Sequence, residues 1–395
     1  MTPPTPDVLL GDDLTPEVFL RDYWQQQPLL IRNAWPDFTS PLSPEELAGL
    51  ACEDGSTARL VLEEGGAYPW EMRFGPFAVE EFTSLPPTHW SLLVQEVDRL
   101  VPAVADVLQP FRFIPNWRID DVQISYAPPH GNVGAHVDSY DVFLLQAQGR
   151  RRWQISYDPI PEAEEAFVPD ADVRILQEFS PEATWVVEPG DLLYLPPRVP
   201  HYGVALDDCM TYSIGFRAPS RAELLQAAGG AADALVAEDV RYADPAPPAR
   251  THTGEITADE RDALRTLLRG ALRDDATLDH WLGRYLTQPT RGSRPPLPEE
   301  RIKPSDIRRT IQEGGRLRRS AIAHFAHLTH GEDQVTLFVC GRAYTVSGAA
   351  AQLAVTLTSS PRLDAAALAP FLDDGQLLLL LADLANEGYL YLNED

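Results

Sequence analysis

Between residues 121 and 216, apolar and polar positions alternate in short runs set apart by Gly and Pro. Val122-Gln123-Ile124-Ser125-Tyr126 is one run, and residues 152–157, 184–187, 192–195 and 211–216 form others. Alternation with period two sends successive side chains to opposite faces of a strand, so these segments predict a sandwich or jelly-roll barrel. Residues 134–143 read as a further strand of the same set.

On either side the pattern changes. Thr15-Pro16-Glu17 has the chemistry of a helix start, followed by an apolar stripe of Val18, Phe19, Tyr23 and Trp24. Residues 29–31 read as a buried strand, and 92–108 as a helix interrupted near Pro102. Beyond Pro219 the period becomes helical: 221–236, then 258–272 opened by Thr257 and Glu260 as a capping box, then 278–286. The helix-breaking segment 244–248 parts the first two. Such a stretch presents little core and reads as an interface or linking module. After a Pro- and Arg-rich linker at 289–304, the tail offers two helices and a hairpin at 335–346 turning near Cys340-Gly341. Leucine-rich helices and a last strand at 388–392 complete a winged-helix-like α+β unit. The expected divisions are 1–219, 220–300 and 301–395.

Charge narrows the function. In 395 residues, 32 are basic and 59 acidic, a net of -27. That balance argues against a nucleic-acid surface and favours a cationic partner through long-range attraction. Residues 301–395 hold nine basic and eleven acidic side chains, without the basic excess of a DNA-reading winged helix. The cluster Arg308, Arg309, Arg316, Arg318 and Arg319 reads as a solvated helix face or an interdomain contact. Lys303 is the only lysine, which argues against a Schiff-base lysine elsewhere. Three scattered cysteines, Cys52, Cys209 and Cys340, suit a reducing cytosol. The N-terminus has no apolar signal-peptide core, and the leucine run at 377–381 is far too short to span a bilayer. A soluble, cytoplasmic protein without membrane or DNA partners is expected.

The candidate chemistry is His136-Val137-Asp138 with a distant His201. Two imidazoles and one carboxylate are the ligand set of non-haem Fe(II) oxygenases, leaving positions open for O2 and a co-substrate. On a strand, His136, Asp138 and Tyr140 share one face and Asp141 takes the other. His201 follows Pro189-Gly190-Asp191 and the apolar run 192–195, a route by which a barrel returns a third ligand. The commonest co-substrate, 2-oxoglutarate, needs a cation and a hydroxyl in the depth of the barrel. Asp121, Gln123 and Ser125 share a face by period two, and Arg150-Arg151-Arg152 begins the strand after the metal run. Alternation groups Arg151 with Trp153 against Arg150 and Arg152, without choosing between them. Tyr140 beside Asp121 offers a guanidinium both a ring to stack on and a carboxylate, with Ser213 as a third contact.

These motifs, Gly-x-His-x-Asp-x-Tyr-Asp-Val-Phe, Gly-Arg-Arg-Arg-Trp, Pro-Gly-Asp-Leu-Leu-Tyr-Leu-Pro-Pro-Arg-x-Pro-His and Tyr-Ser-Ile-Gly-Phe-Arg-Ala-Pro, resemble those of the bacterial ribosomal oxygenases of the JmjC (cupin) superfamily. The resemblance covers nearly the whole chain. It implies an α+β chain: a double-stranded β-helix (jelly-roll, JmjC) barrel within 1–219, a helical dimerisation region in 220–300 and a winged-helix-like domain in 301–395. It implies Fe(II) held by His136, Asp138 and His201, and 2-oxoglutarate held by Arg151 and Ser125. Asp121, Gln123, Tyr140 and Ser213 are the expected substrate contacts. The implied reaction is 3-hydroxylation of an arginine, in a basic loop of the sixteenth large-subunit ribosomal protein, by a homodimer using O2. Histidyl hydroxylation or demethylation by the same chemistry, or a non-enzymatic cupin-type sensor with a winged-helix output, are the alternatives. The chain departs from the pattern at Gln123, where an apolar residue is expected, and at Pro129-His130-Gly131-Asn132, which replaces a glycine-rich loop.

Overall fold

The computed structural model describes residues 3–11, 14–66, 69–236, 240–241, 258–270, 274–289 and 294–393. It divides into two compact units, Met1–Ala218 and Pro219–Asp395.

Among the described residues, eleven strands build the first unit: β1 Leu29–Ile31, β2 Ala58–Leu62, β3 Glu71–Phe74, β4 Trp90–Val94, β5 Ile119–Ala127, β6 Asp141–Gln148, β7 Arg151–Ile155, β8 Ala183–Val187, β9 Leu192–Leu195, β10 His201–Ala205 and β11 Cys209–Phe216. They form an eight-stranded sheet, β1-β9-β6-β11-β5-β4-β2-β3, and a three-stranded sheet, β10-β7-β8. One face of the large sheet packs on the N-terminal helices, through Val122, Ile124, Phe143, Tyr194, Tyr212, Phe216 and Phe19. The other faces the small sheet across Val142, Leu144, Trp153, Ile155, Val187, Leu193 and Leu195. Alternation thus leaves one row of each strand for the barrel interior.

The alternating runs fell where strands were expected, and Thr15 caps a helix over Pro16–Asp22, accepting the Val18 N–H. Two readings are corrected. Residues 92–108 are not one helix: they begin in β4 and continue as short helical turns at Val97–Leu100 and Pro102–Ala105. β4 pairs through its backbone with both β2 and β5, and this pairing overrides helical spacing. Nor is 134–143 a strand throughout. Residues 131–140 are irregular, apart from an isolated bridge at His136, and β6 starts only at Asp141.

In the second unit helices span Arg221–Gly230, Ala232–Leu235, Ala258–Arg269, Asp275–Leu286 and Pro304–Gln312. The segments containing Thr257 and 244–248 lie outside the described residues. The chain then forms β12 Arg316–Arg319, β13 Phe325–His330, β14 Gln334–Val339, β15 Arg342–Ser347, β16 Arg362–Leu363 and β17 Leu390–Asn393, in sheets β16-β12-β17 and β13-β14-β15. Helices Ala349–Ser359 and Gly375–Asn386 cover them, burying Leu353, Leu357, Leu381 and Leu384 with Ile307 and Leu337. The second helix expected after Ser305 is strand β12, so Arg316, Arg318 and Arg319 lie on no helix face. Arg319 is buried and donates to the carbonyls of Leu357 and Thr358, and Arg308 to that of Leu372. These two arginines close backbone ends inside the unit. Among the described residues, no helix is long and apolar enough to cross a membrane.

Candidate metal and co-substrate site

The side-chain ligand atoms of His136, Asp138 and His201 lie within 4.8 Å of one another, with His201 Nε2 at 3.6 Å from Asp138 Oδ2. Their convergence is built by backbone. His136 and His201 pair as a two-residue antiparallel bridge, and Arg198 N–H donates to Asp138 O at 2.7 Å. Each imidazole Nδ1 is spent on a main-chain carbonyl, Gly134 O at 3.0 Å for His136 and Val199 O at 2.9 Å for His201. With Nδ1–H donated, each Nε2 keeps its lone pair for a cation. Burial, and then the neighbouring His136, push His201 down to about 4, so its ring is neutral at ordinary pH. The donor set fits a hard-to-borderline divalent ion with an open side.

The segment leading to His201 is fixed by a turn. Gly190 has φ +91, and a Cβ there would stand 2.7 Å from Trp35 O. Asp191 receives the N–H groups of Asn33 and Glu188 at 2.8 and 3.0 Å and pairs with Arg32 at 2.6 Å. Tyr194, in the strand that follows, donates to the fully buried Asp141 at 2.7 Å, and Arg118 pairs with that carboxylate at 2.9 Å. Asp141 is therefore a structural carboxylate turned away from the triad, as expected.

β7 runs antiparallel to β10, with Ile155 opposite His201, Trp153 opposite Gly203 and Arg151 opposite Ala205. Arg151, Trp153 and Ile155 face inward. Arg150 points out and pairs with Asp207 at 2.9 Å. Arg151 is buried, and its Nε and Nη2 have no hydrogen-bond partner. Its guanidinium lies 5.6 Å from the Trp153 ring, which itself lies 5.8 Å from the His201 ring. An unpaired buried guanidinium is costly, and a carboxylate is its natural complement. Ser125 is buried on β5 opposite Thr211, two residues from Ala127, which packs against Ala205 across the end of the barrel. A cation and a hydroxyl thus flank the same closed end, which suits the far carboxylate of a dicarboxylic acid.

Asp121, Gln123 and Ser213 mark the opposite approach. Ser213 pairs across the sheet with Gln123 on β5 and with Leu144 of the interior on β6, so all three share the inner face. Asp121 is buried, its Oδ2 accepting the Glu96 N–H at 2.9 Å. A Cβ on Gly215 would lie 3.6 Å from Asp121 Oδ1 and 3.7 Å from the Tyr140 ring, so the two side chains meet over that glycine. Tyr140 is 42% exposed. Asp138 first, then desolvation and Asp121, hold its hydroxyl far above the usual phenol range. An irregular loop carries Tyr140, not the strand whose alternation was invoked for it. Arg59 on β2, which donates to Gln123, and Asp120, felt at the Tyr140 hydroxyl, were not foreseen. No local pattern in the sequence signals Arg59, which reaches the pocket from a strand far from Tyr140 in the chain.

A distorted barrel of this topology with a His-Asp-His triad at its mouth defines an oxygenase of the JmjC class, and the JmjC domain model matches residues 106–224. A ROXA-like winged helix matches 270–391, and an AraC-like ligand binding domain matches 180–280. The chain is 34% identical over 376 residues to ribosomal protein uL16 3-hydroxylase of Escherichia coli, covering 94% of this chain and 96% of that one. With a probable ribosomal oxygenase of Haemophilus influenzae it shares 34% over 319 residues, 78% and 77% of the two chains. The structure of YcfD, a ribosomal oxygenase from Escherichia coli in complex with cobalt and 2-oxoglutarate, superposes with a TM-score of 0.80 at 33% identity, covering 96% of this chain and 99% of that one. The chain belongs to the ribosomal oxygenase family.

Proposed function

We propose that this protein is an Fe(II)- and 2-oxoglutarate-dependent hydroxylase of ribosomal protein uL16, acting at Cβ of an arginine. The observation that carries the reading is the pairing of an open His136, Asp138, His201 triad with the unpartnered, buried Arg151. The triad would hold the metal, and Arg151 with Ser125 the far carboxylate of 2-oxoglutarate. When bound, the metal would couple oxidative decarboxylation of 2-oxoglutarate, to succinate and CO2, with insertion of one oxygen atom of O2 into a substrate C–H bond. The chain's own part is placement. Trp153 and Gly203 wall the co-substrate, while Tyr140, Asp121 and Ser213 receive the target side chain and align its Cβ with the metal.

A guanidinium suits Tyr140 and Asp121 better than a neutral imidazole does, because both the ring face and the carboxylate favour a cation. The acidic charge of the whole chain suits a basic ribosomal partner met in the cytoplasm. We assign dimerisation to residues 220–300. The helices Arg221–Gly230 and Ala258–Arg269 bury none of their described side chains, and Leu264 and Leu268 stand exposed one turn apart. Leu264→Glu with Leu268→Glu should convert a dimer to a monomer by light scattering, and an unchanged mass would move the interface elsewhere.

The test of function is mass spectrometry of ribosomal proteins from cells with and without this gene. One added oxygen on an arginine of uL16 is expected. An added oxygen on a histidine, or none on any ribosomal protein, would overturn the reading.

A further inference from the structure

Arg59 donates from Nη2 to Oε1 of Gln123 at 3.2 Å. A guanidinium has donors only, so the amide must turn its oxygen to Arg59 and its NH2 away. The usual ambiguity between amide oxygen and nitrogen is removed by this partner. Among the described residues that NH2 meets no acceptor. Gln123 stands on the inner face of β5, midway between Asp121 and Ser125 and opposite Ser213. By the rise of a strand it is about 7 Å from either neighbour on that face. It therefore flanks the stretch between the co-substrate end and the cation end of the pocket.

We propose that Arg59 and Gln123 act as one unit that holds a hydrogen-bond donor ready for a main-chain carbonyl of the substrate peptide. This rests on the substrate reading above and refines it. A target guanidinium is itself all donors, so it gains nothing from the Gln123 NH2 and is left to Asp121 and Tyr140. The acceptor that matches the amide is a peptide carbonyl next to the target residue. Arg59 itself stands beside this stretch, its guanidinium held against the Gln123 amide oxygen. A fixed cation there disfavours a second positive side chain entering beside the target. The ligand class is thus an arginyl residue in an extended segment whose carbonyl faces β5, with no basic neighbour on that side. Arg59 is a positioning residue, because it acts through Gln123.

The experiment measures hydroxylation of intact ribosomal protein by mass, with the full-length enzyme and steady-state kinetics. Gln123→Leu and Arg59→Leu should each raise KM for the protein substrate about tenfold, as loss of one hydrogen bond in a partly desolvated site does, with kcat changing by less than about twofold. The double variant should be no worse than either single one, and Arg59→Lys, which keeps a donor, should recover most of the loss. Independent effects that multiply to about a hundredfold would overturn the proposal, as would a fall in kcat at constant KM. If Arg59→Leu does not fold, the Arg59→Lys and Gln123→Leu pair decides the same question. A wild-type enzyme inactive on the ribosomal protein sinks the substrate reading and this proposal with it. An active wild type with unaltered variants sinks this proposal alone.

Discussion

His136 and His201 exchange both of their backbone hydrogen bonds, His136 N–H to His201 O at 3.0 Å and the reverse at 2.9 Å. The two residues are 65 positions apart in the chain, yet their main chains are locked as a bridge. Each ring is then oriented by a local bond, His136 to Gly134 O and His201 to Val199 O.

Removing a ligand should therefore spare the fold. His136→Ala and Asp138→Ala delete no backbone contact, so their melting temperatures without metal should stay within a few degrees of the parent. Succinate formation from 2-oxoglutarate should be lost in both. Undiminished turnover in either variant, with iron supplied, would refute the ligand assignment.

Arg151 and Arg150 differ in burial and partner, not in chemistry. Arg151→Ala should raise the 2-oxoglutarate requirement by at least tenfold, matching about 1.5–3 kcal/mol for hydrogen bonds to a charged group. Arg150→Ala breaks only an exposed ion pair with Asp207, and should change that requirement less than about twofold. Titration with 2-oxoglutarate measures both.

Gly203 makes room for an indole. A Cβ there would stand 2.5 Å from Trp153 Cζ3 and 2.6 Å from Cη2, closer than any real contact. Trp153 is packed within the interior cluster and has nowhere to retreat. Gly203→Ala should cost about 1–3 kcal/mol in urea unfolding, the usual price of overpacking. It should also weaken 2-oxoglutarate binding, because Arg151 lies against the same ring. A variant as stable as the parent would show that the strand pair can spread.

Much of this was legible in the sequence, and the failures share a cause. Strand β5 showed because it alternates, with Val122 and Ile124 on its apolar row, and β9, apolar on both faces, showed through the Pro-Gly-Asp turn before it. β4 did not, since Ser91-Leu92-Leu93-Val94 is apolar on both faces and carries no period of its own. His136 and Asp138 were found through residue types, while the alternation invoked for them belongs to a strand that starts only at Asp141. Arg59 left no trace, because a pocket residue from a distant strand has no local pattern.

Asp98 sets a pH dependence. It is fully buried, accepts the Val122 N–H at 2.9 Å, and desolvation raises its carboxyl from 3.8 to about 7. The folded state thus binds a proton that the unfolded state has released between about pH 4 and 7. Stability contributed by this group is greatest at the acid end and falls as pH rises, by up to about 1.4 kcal/mol per pH unit, levelling above about 7. Asp98→Asn keeps the acceptor and removes the titration. Urea midpoints at pH 5.5 and 8 should differ less in the variant than in the parent. Equal differences would place the Asp98 proton elsewhere.

Asp121 is where the substrate cation should pay most for a change. Its carboxylate is oriented by the Glu96 N–H and lies against Tyr140 across Gly215. Asp121→Ala would leave an entering guanidinium with the ring face and no counter-charge in a partly desolvated pocket, a loss of several kcal/mol. The apparent KM for the ribosomal protein should rise by a hundredfold or so, on the scale of about 1.4 kcal/mol per factor of ten. The KM for 2-oxoglutarate should move far less, since the co-substrate binds at the Arg151 end. Salt gives a second reading of the same electrostatics. The net charge of -27 attracts a basic protein over distances that salt screens, so kcat/KM should fall as ionic strength rises toward 0.15 M and beyond. Asp121→Ala should lower the whole curve without changing its slope much, because it removes one charge of many. Normal hydroxylation by this variant, or a preference for a neutral histidine peptide, would rule out the guanidinium pocket.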